Sequence, residues 1–195
     1  LVSERIPAYT AEQRREGLRY ALRLLHGYGV TSFQDASVSE DGLEVYRALD
    51  EAGELTARVV ASLWWERDQG LEQIPRLVDL RRRYTRGRVR ATTVKLMQDG
   101  VMEVQTAAVL KPYLGKGPGL GLTMIEPEKL KAAVTALDKE GFQVHFHAIG
   151  DRANAEILSI YETRPDFRLR RFRIEHAQHL DDALIKRFAA DRVVA

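Results

Sequence analysis

A chain of 195 residues with 45% hydrophobic content carries enough apolar mass for one buried core, so a single domain over residues 1–195 is the expectation. Its 30 basic and 28 acidic side chains leave a formal charge of +2, which argues against a nucleic-acid binder with a clustered basic excess. The chain has no cysteine, so disulfides and thiolate ligands are excluded and any metal must sit on His, Asp, Glu or a modified Lys.

Helical periodicity runs from about Ala11 to Leu25, ends in "HGYG" and leads into a strand-like "VTSFQDA" at 30–36. A second helix near Glu40–Ala52 stops at Gly53 before "ARVVASLWW" at 57–65. A third, near Leu71–Tyr84, precedes "VRATTVKLMQDG" at 89–100. A longer, Gly-rich connection follows, within which "LGKGPGLG" (114–121) reads as a mobile loop because it lacks phosphate-loop spacing and no strand feeds it. "EPEKLKAAVTALDKEG" (126–141) is a marked helix, with Pro127 at its start and Gly141 past its end. Then come a strand in "FQVHFHAIGD", a helix from Arg152 to Glu162, a strand in "RFRIEHAQ" (171–178) and a helix over 180–191. The last residues, "RVVA", begin a further strand.

The basic runs "RRRYTRGRVR" (81–90) and "RLRRFR" (168–173) each lie just before an apolar strand, and solvated helix ends or connections account for them better than a nucleic-acid patch. No run approaches the ~18 apolar residues of a membrane span. The N-terminal "LVSERIPAYT" has no signal-peptide pattern, so a cytoplasmic protein is expected. Without an initiating Met the chain reads as cut from something longer, and a signal sequence upstream of Leu1 is left open.

Strands alternating with helices mean βαβ units, a parallel sheet and an α/β fold. Chemistry-bearing residues sit near the ends of several strands: Asp35, Asp99, His147 and His176. A (β/α) barrel assembles its site from many strand ends, whereas a doubly wound sheet uses one switch point, so the expected fold is a barrel.

In "QVHFHAIGD", His145 and His147 lie at i and i+2 and share one face of the strand, opposite Val144 and Phe146. Two readings stand for such a pair: hydrogen-bonded core histidines, or part of a site. Lys95 in "TTVKLMQDG" is flanked by Val94 and Leu96 and so faces the same way as the histidines. A buried lysine is costly unless paired or neutralised. It either meets a buried carboxylate or reacts with carbon dioxide to give an anionic, two-oxygen metal ligand. His147 and His176 end successive strands, and neighbouring strands lie ~4.8 Å apart, which suits two imidazoles converging on one ion.

"VKLMQDG", "HFHAIGDRA" and "RIEHAQ", in this order, resemble amidohydrolase family 3, the YtcJ-like metal-dependent hydrolases of the amidohydrolase superfamily. The opening "REGLRYALRLLHGYGVTSFQDAS" is similar to the second strand region of those enzymes. The resemblance implies a partial TIM (β/α)8 barrel, roughly strands two to seven, with one or two divalent ions, usually zinc. It implies that Lys95, His147 and His176 are the ligands from strands four, five and six, Lys95 being carbamylated in a two-metal site. It further implies metal-activated water attacking a small amide-type substrate at a non-peptide C–N bond.

That family's strand-one His-x-His and strand-eight Asp have no counterpart here, so the chain is expected to be an internal fragment, inactive alone. Open barrel edges would favour a homo-oligomer or other self-association. Asp99 either contacts substrate or fixes its turn, and Trp65 is taken to line the pocket. Asp151 is expected to cap the next helix, His145 to support rather than ligate, and Glu175 to face away from His176 toward an arginine. His26 and His179 are expected at the surface. The competing functions are a metal-free barrel with a structural or binding role, and a Schiff-base lyase or isomerase using Lys95.

Overall fold

A computed structural model describes Arg5, residues 7–115 and residues 119–195. The middle of the 114–121 stretch, expected to be a mobile loop, therefore lies outside the described residues.

Local sequence sets the helix starts. Thr10 and Gln13 form a capping box at the head of α1 (Ala11–Gly27), each side chain satisfying the other's backbone N–H. Ser39 caps α2 (Glu40–Glu51) through the Gly42 N–H, and Pro127 occupies the first turn of α4 (Pro127–Lys139). Asp181 accepts the Leu184 N–H before α6 (Asp182–Asp191). Helix α3 (Ile74–Tyr84) grows out of a short 3-10 turn at Leu71–Gln73, and α5 spans Asp151–Glu162.

Between them run β1 (Ser32–Val38), β2 (Arg58–Trp64), β3 (Val89–Met97), β4 (Gln143–Ala148) and β5 (Arg173–His176). They are hydrogen-bonded in the order β1-β2-β3-β4-β5, and the pairs β1/β2, β3/β4 and β4/β5 are parallel. Strand order equal to chain order, with a helix in each of the crossovers, is the winding of a (β/α) barrel. A doubly wound sheet would reverse direction at a switch point. Val194 adds a parallel bridge to Arg173, so the closing "RVVA" does begin the next strand position.

The chain divides into two compact units. One contains residues up to Leu63 with Asp79–Thr92; the other contains Trp64–Val78 with Thr93–Ala195. Strands β2 and β3 each run from one into the other.

In the first unit, Leu43 and Leu49 of α2, Val59 and Ala61 of β2, and Tyr84 are buried. Tyr46 lies against Phe33, and its hydroxyl donates to Asp35 at 2.9 Å. The basic run at 81–90 is largely paired: Arg82 and Arg83 with Asp79, Arg83 also with Glu40, and Arg86 with Glu51.

In the second unit, Val94, Leu96, Val144, Phe146 and Ile174 are fully buried on one side of β3, β4 and β5. Phe146 meets Tyr161 of α5 at 5.8 Å between ring centroids, and Tyr161 stacks on Phe172 at 4.1 Å. These apolar residues commit one sheet face to the helices. Pleating turns the alternate residues, Lys95, His145 and His147, to the other face.

Candidate active site

Register places the polar residues in rows. Lys95 of β3 stands beside His145 of β4, which stands beside Arg173 of β5. One pleat further on, Met97, His147 and Glu175 form the next row. Strict alternation would therefore bring Glu175, and not His176, to the face that carries the histidines.

The backbone at the end of β5 changes this. His176 has φ +76° and Ala177 φ +41°, left-handed values that cost a non-glycine residue about 1–3 kcal/mol each. The bend is anchored on β4, with the Ala177 N–H donating to Ala148 O at 3.0 Å and the His179 N–H to Ile149 O at 2.9 Å. It carries the His176 ring to within 4.6 Å of the His147 ring, edge on, at an interplanar angle of 65°. Two strained residues thus bring together the two imidazoles that sequence reasoning had paired.

His147 is oriented from its other side. Its Nε2 lies 3.1 Å from the Gly100 carbonyl and 3.6 Å from Asp99 Oδ1. A carbonyl can only accept, so Nε2 is the donor in this contact, and in the neutral ring Nδ1 is then the nitrogen with the lone pair. His176 is more exposed, and its pKa is lowered by partial burial, by His147 and by Lys95, with Asp99 opposing. This lowering favours the neutral imidazole, which is the metal-ligating form.

Lys95 is buried, and its amine is in contact with Glu175 Oε2. Burial, and then the charge of Arg173, bring the amine down to about 8. Glu175 Oε1 also lies 3.7 Å from His145 Nδ1. His145, buried beside Lys95 and Arg173, has its pKa pushed down to about 3, chiefly by desolvation.

Glu175 was expected to face away from His176, beside an arginine; the structure turns its carboxylate onto Lys95. The signal lay in the alternation itself, since Ile174 is buried on the helix-covered face and its neighbour Glu175 must turn toward the histidines.

The remaining expected residues are placed as follows. Asp99 is fully buried, and its carboxylate accepts three backbone N–H groups, from Ala108 at 2.9 Å, Ile149 at 3.0 Å and Gly150 at 2.8 Å. It fixes a turn, the second of the two roles open to it. Trp65 is 3% exposed, so its ring packs in the core and offers little surface to a ligand, while its backbone N–H donates to Lys95 O. Asp151 is the first residue of α5 and not its cap; Gly150 holds that position. The Asp151 carboxylate instead accepts the Leu110 N–H at 2.8 Å, docking the long connection onto the helix. His179 is exposed, 3.9 Å from Asp151.

Among the described residues, no group of three or more His, Asp or Glu side chains is arranged to hold a metal ion. The donors these strands bring to this face are two imidazoles and a lysine. Of these, the paired rings of His147 and His176 are of a type that suits a divalent ion, and a lysine amine would first have to become neutral and be converted to an anion. Among the described residues, no helix is long and apolar enough to cross a membrane.

A (β/α) winding with Lys95, His147 and His176 carried on three successive strands places the chain among the α/β barrels, and comparison with known proteins gives the family. The sequence profile of the Amidohydrolase family matches residues 1–195, and the chain belongs to that family. It is 43% identical over 105 residues to protein LONG AFTER FAR-RED 3 of Arabidopsis thaliana, covering 52% of this chain and 18% of that protein. It is 28% identical over 186 residues to exoenzymes regulatory protein AepA of Pectobacterium carotovorum subsp. carotovorum, covering 92% of this chain and 39% of the relative. Among solved structures, an uncharacterized metal-dependent hydrolase from Pyrococcus horikoshii OT3 superposes with a TM-score of 0.75 at 27% identity, covering 95% of this chain and 36% of that one. The fold is therefore part of the barrel found in metal-dependent hydrolases, and the chain spans less than two-fifths of the length of these relatives.

Proposed function

We propose that the chain carries the Lys95, His147 and His176 ligands of a metal-dependent hydrolase acting on amide-type C–N bonds other than peptide bonds, with zinc as the metal. The observation that carries this reading is the left-handed bend at His176 and Ala177. It costs backbone energy, and its visible result is to bring an imidazole onto His147. A strained ligand-bearing strand end with a buried lysine two strands away suits a metal site better than core packing.

When bound, a divalent ion supplies a water activated near neutral pH and polarises the substrate carbonyl. The chain's own contribution is positional. Gly100 holds the His147 proton on Nε2, which reserves Nδ1 as a donor. Burial keeps a fraction of the Lys95 amine neutral near pH 8, and only the neutral amine can add carbon dioxide. Glu175 competes for that amine and must yield when the lysine becomes an anion.

These residues contain a single His-x-His, at 145–147, and it lies on β4. The first-strand pair and last-strand aspartate of the family resemblance are not among them, so the 195-residue chain should not turn over substrate alone.

Elemental analysis after exposure to zinc and bicarbonate tests the site, with a His147→Ala, His176→Ala double variant alongside. Zinc near one equivalent, lost in the variant, supports the reading. Equal zinc in both, or none in either, removes the metal site from this chain and leaves the metal-free barrel role.

A further inference from the structure

The connection between β3 and α4 is docked on the β4–α5 turn by polar groups pointing both ways. The Asp99 carboxylate takes the Ala108, Ile149 and Gly150 N–H groups. In return, the Ala108 carbonyl accepts the Arg152 and Ala153 N–H groups at the head of α5, and the Asp151 carboxylate accepts the Leu110 N–H. Within the connection, the Gly100 N–H donates to Thr106 O, and the Val101 N–H donates to Thr106 Oγ1. Packing there is so close that a Cβ on Gly100 would sit 2.1 Å from Thr106 Oγ1. The product of this clamp is one carbonyl, that of Gly100, held 3.1 Å from His147 Nε2.

We propose that Asp99 is a positioning residue: by clamping residues 99–110 to the β4–α5 turn it fixes the Gly100 carbonyl, and through it the ring orientation and tautomer of His147. The inference rests on the metal-ligand reading of His147 for its functional meaning, but not for its geometry. The Asp99 carboxylate is completely removed from solvent, a position in which an unpaired charge would be strongly unfavourable, and the three N–H donors hold it. Such a charge within 3.6 Å of Nε2 also favours the proton there. Partners that orient a ligating histidine from behind typically change metal affinity by about 10–100-fold when removed.

The test uses the 195-residue chain, metal-free, with 15N-labelled histidine. Long-range 1H–15N correlation spectra distinguish Nε2–H from Nδ1–H imidazoles, and loss of one signal in His147→Gln assigns it. The wild-type chain should show His147 as the Nε2–H tautomer. Asp99→Asn should give a mixture of tautomers and about a tenfold or greater loss of zinc affinity, titrated with zinc alone in bicarbonate buffer.

Asp138→Asn is the control for destabilisation. Asp138 is a buried carboxylate paired with Arg164 and Arg170, so its variant should lose stability with the tautomer unchanged. If Asp99→Asn does not fold, Thr106→Val loosens the same clamp more gently and should move the tautomer alone. An unchanged Nε2–H tautomer in whichever variant folds overturns the proposal, as does a tautomer change in Asp138→Asn equal to theirs. A wild-type chain that binds no zinc, yet shows the tautomer shift in Asp99→Asn, leaves the positioning role standing and removes the metal reading from this chain.

Discussion

His145 is enclosed between two cations in register, Lys95 and Arg173, with Glu175 the nearby carboxylate. Desolvation is the larger influence and the cations add to it, so the folded ring stays neutral down to about pH 3, while an unfolded histidine protonates near 6.5. Between those values the unfolded chain binds the extra proton, so stability rises with pH across the window and falls as pH drops from 6.5 toward 3. Each pH unit inside the window is worth at most ~1.4 kcal/mol for this one group. His145→Asn, which does not titrate, should therefore flatten the pH dependence of the metal-free chain across that range. Chemical denaturation of both proteins at matched pH measures it. Parallel slopes would mean the proton is taken up elsewhere. The neighbouring Lys95 is depressed in the same way, chiefly by desolvation, with the charge of Arg173 adding to it.

The elements show how one substitution can change sign with its surroundings. Gly17 in α1 has nothing within 4 Å of an added Cβ, so Gly17→Ala should stabilise by about 0.5–1 kcal/mol through helix propensity. Gly150, at φ −77°, has a backbone any residue adopts, yet its Cβ would lie 1.9 Å from Ala108 O. Gly150→Ala should then cost about 1–3 kcal/mol of overpacking and weaken the Ala108 cap on α5. Urea midpoints at unchanged slope would show the two shifts in opposite directions; two shifts of the same sign would contradict the docking of residues 99–110. This docking also marks the limit of what was legible in the sequence. Helices read well because Thr10, Ser39 and Pro127 are local signals, and Lys95 read well because Val94 and Leu96 flank it. The Asp151–Leu110 bond spans 41 residues and leaves no local trace. A left-handed φ at His176 has none either, because no glycine marks it. The histidine pair was therefore found from the ends of neighbouring strands, and Glu175 was turned the wrong way because His176 was assigned to the histidine face against the alternation.

At the level of the whole molecule, the sheet order leaves β1 with one strand neighbour, β2, among the described residues. Its backbone presents a row of N–H and C=O groups on the other side, the feature through which sheets add strands from other chains. Charge does little to discourage such pairing, since "SFQDASV" contains no lysine, arginine or proline and only one acidic residue, Asp35, whose carboxylate accepts from Tyr46; a register shift between Asp35 and Val38 limits the regular stretch to the first residues of the strand. Helix α1, in the same compact unit, exposes Tyr20 and Leu24 at helical spacing, with Tyr28 just beyond its end, adding apolar area. The expected behaviour is self-association that strengthens with concentration. Ala36 is exposed on β1, and Ala36→Lys places a charge on the edge without touching the core. Sedimentation velocity across a dilution series should show the wild-type chain moving toward larger species while Ala36→Lys stays monomeric. If both remain monomeric at every concentration, the edge is protected by something other than charge. If both associate equally, the contact lies elsewhere, and the exposed ridge of α1 becomes the surface to mutate next.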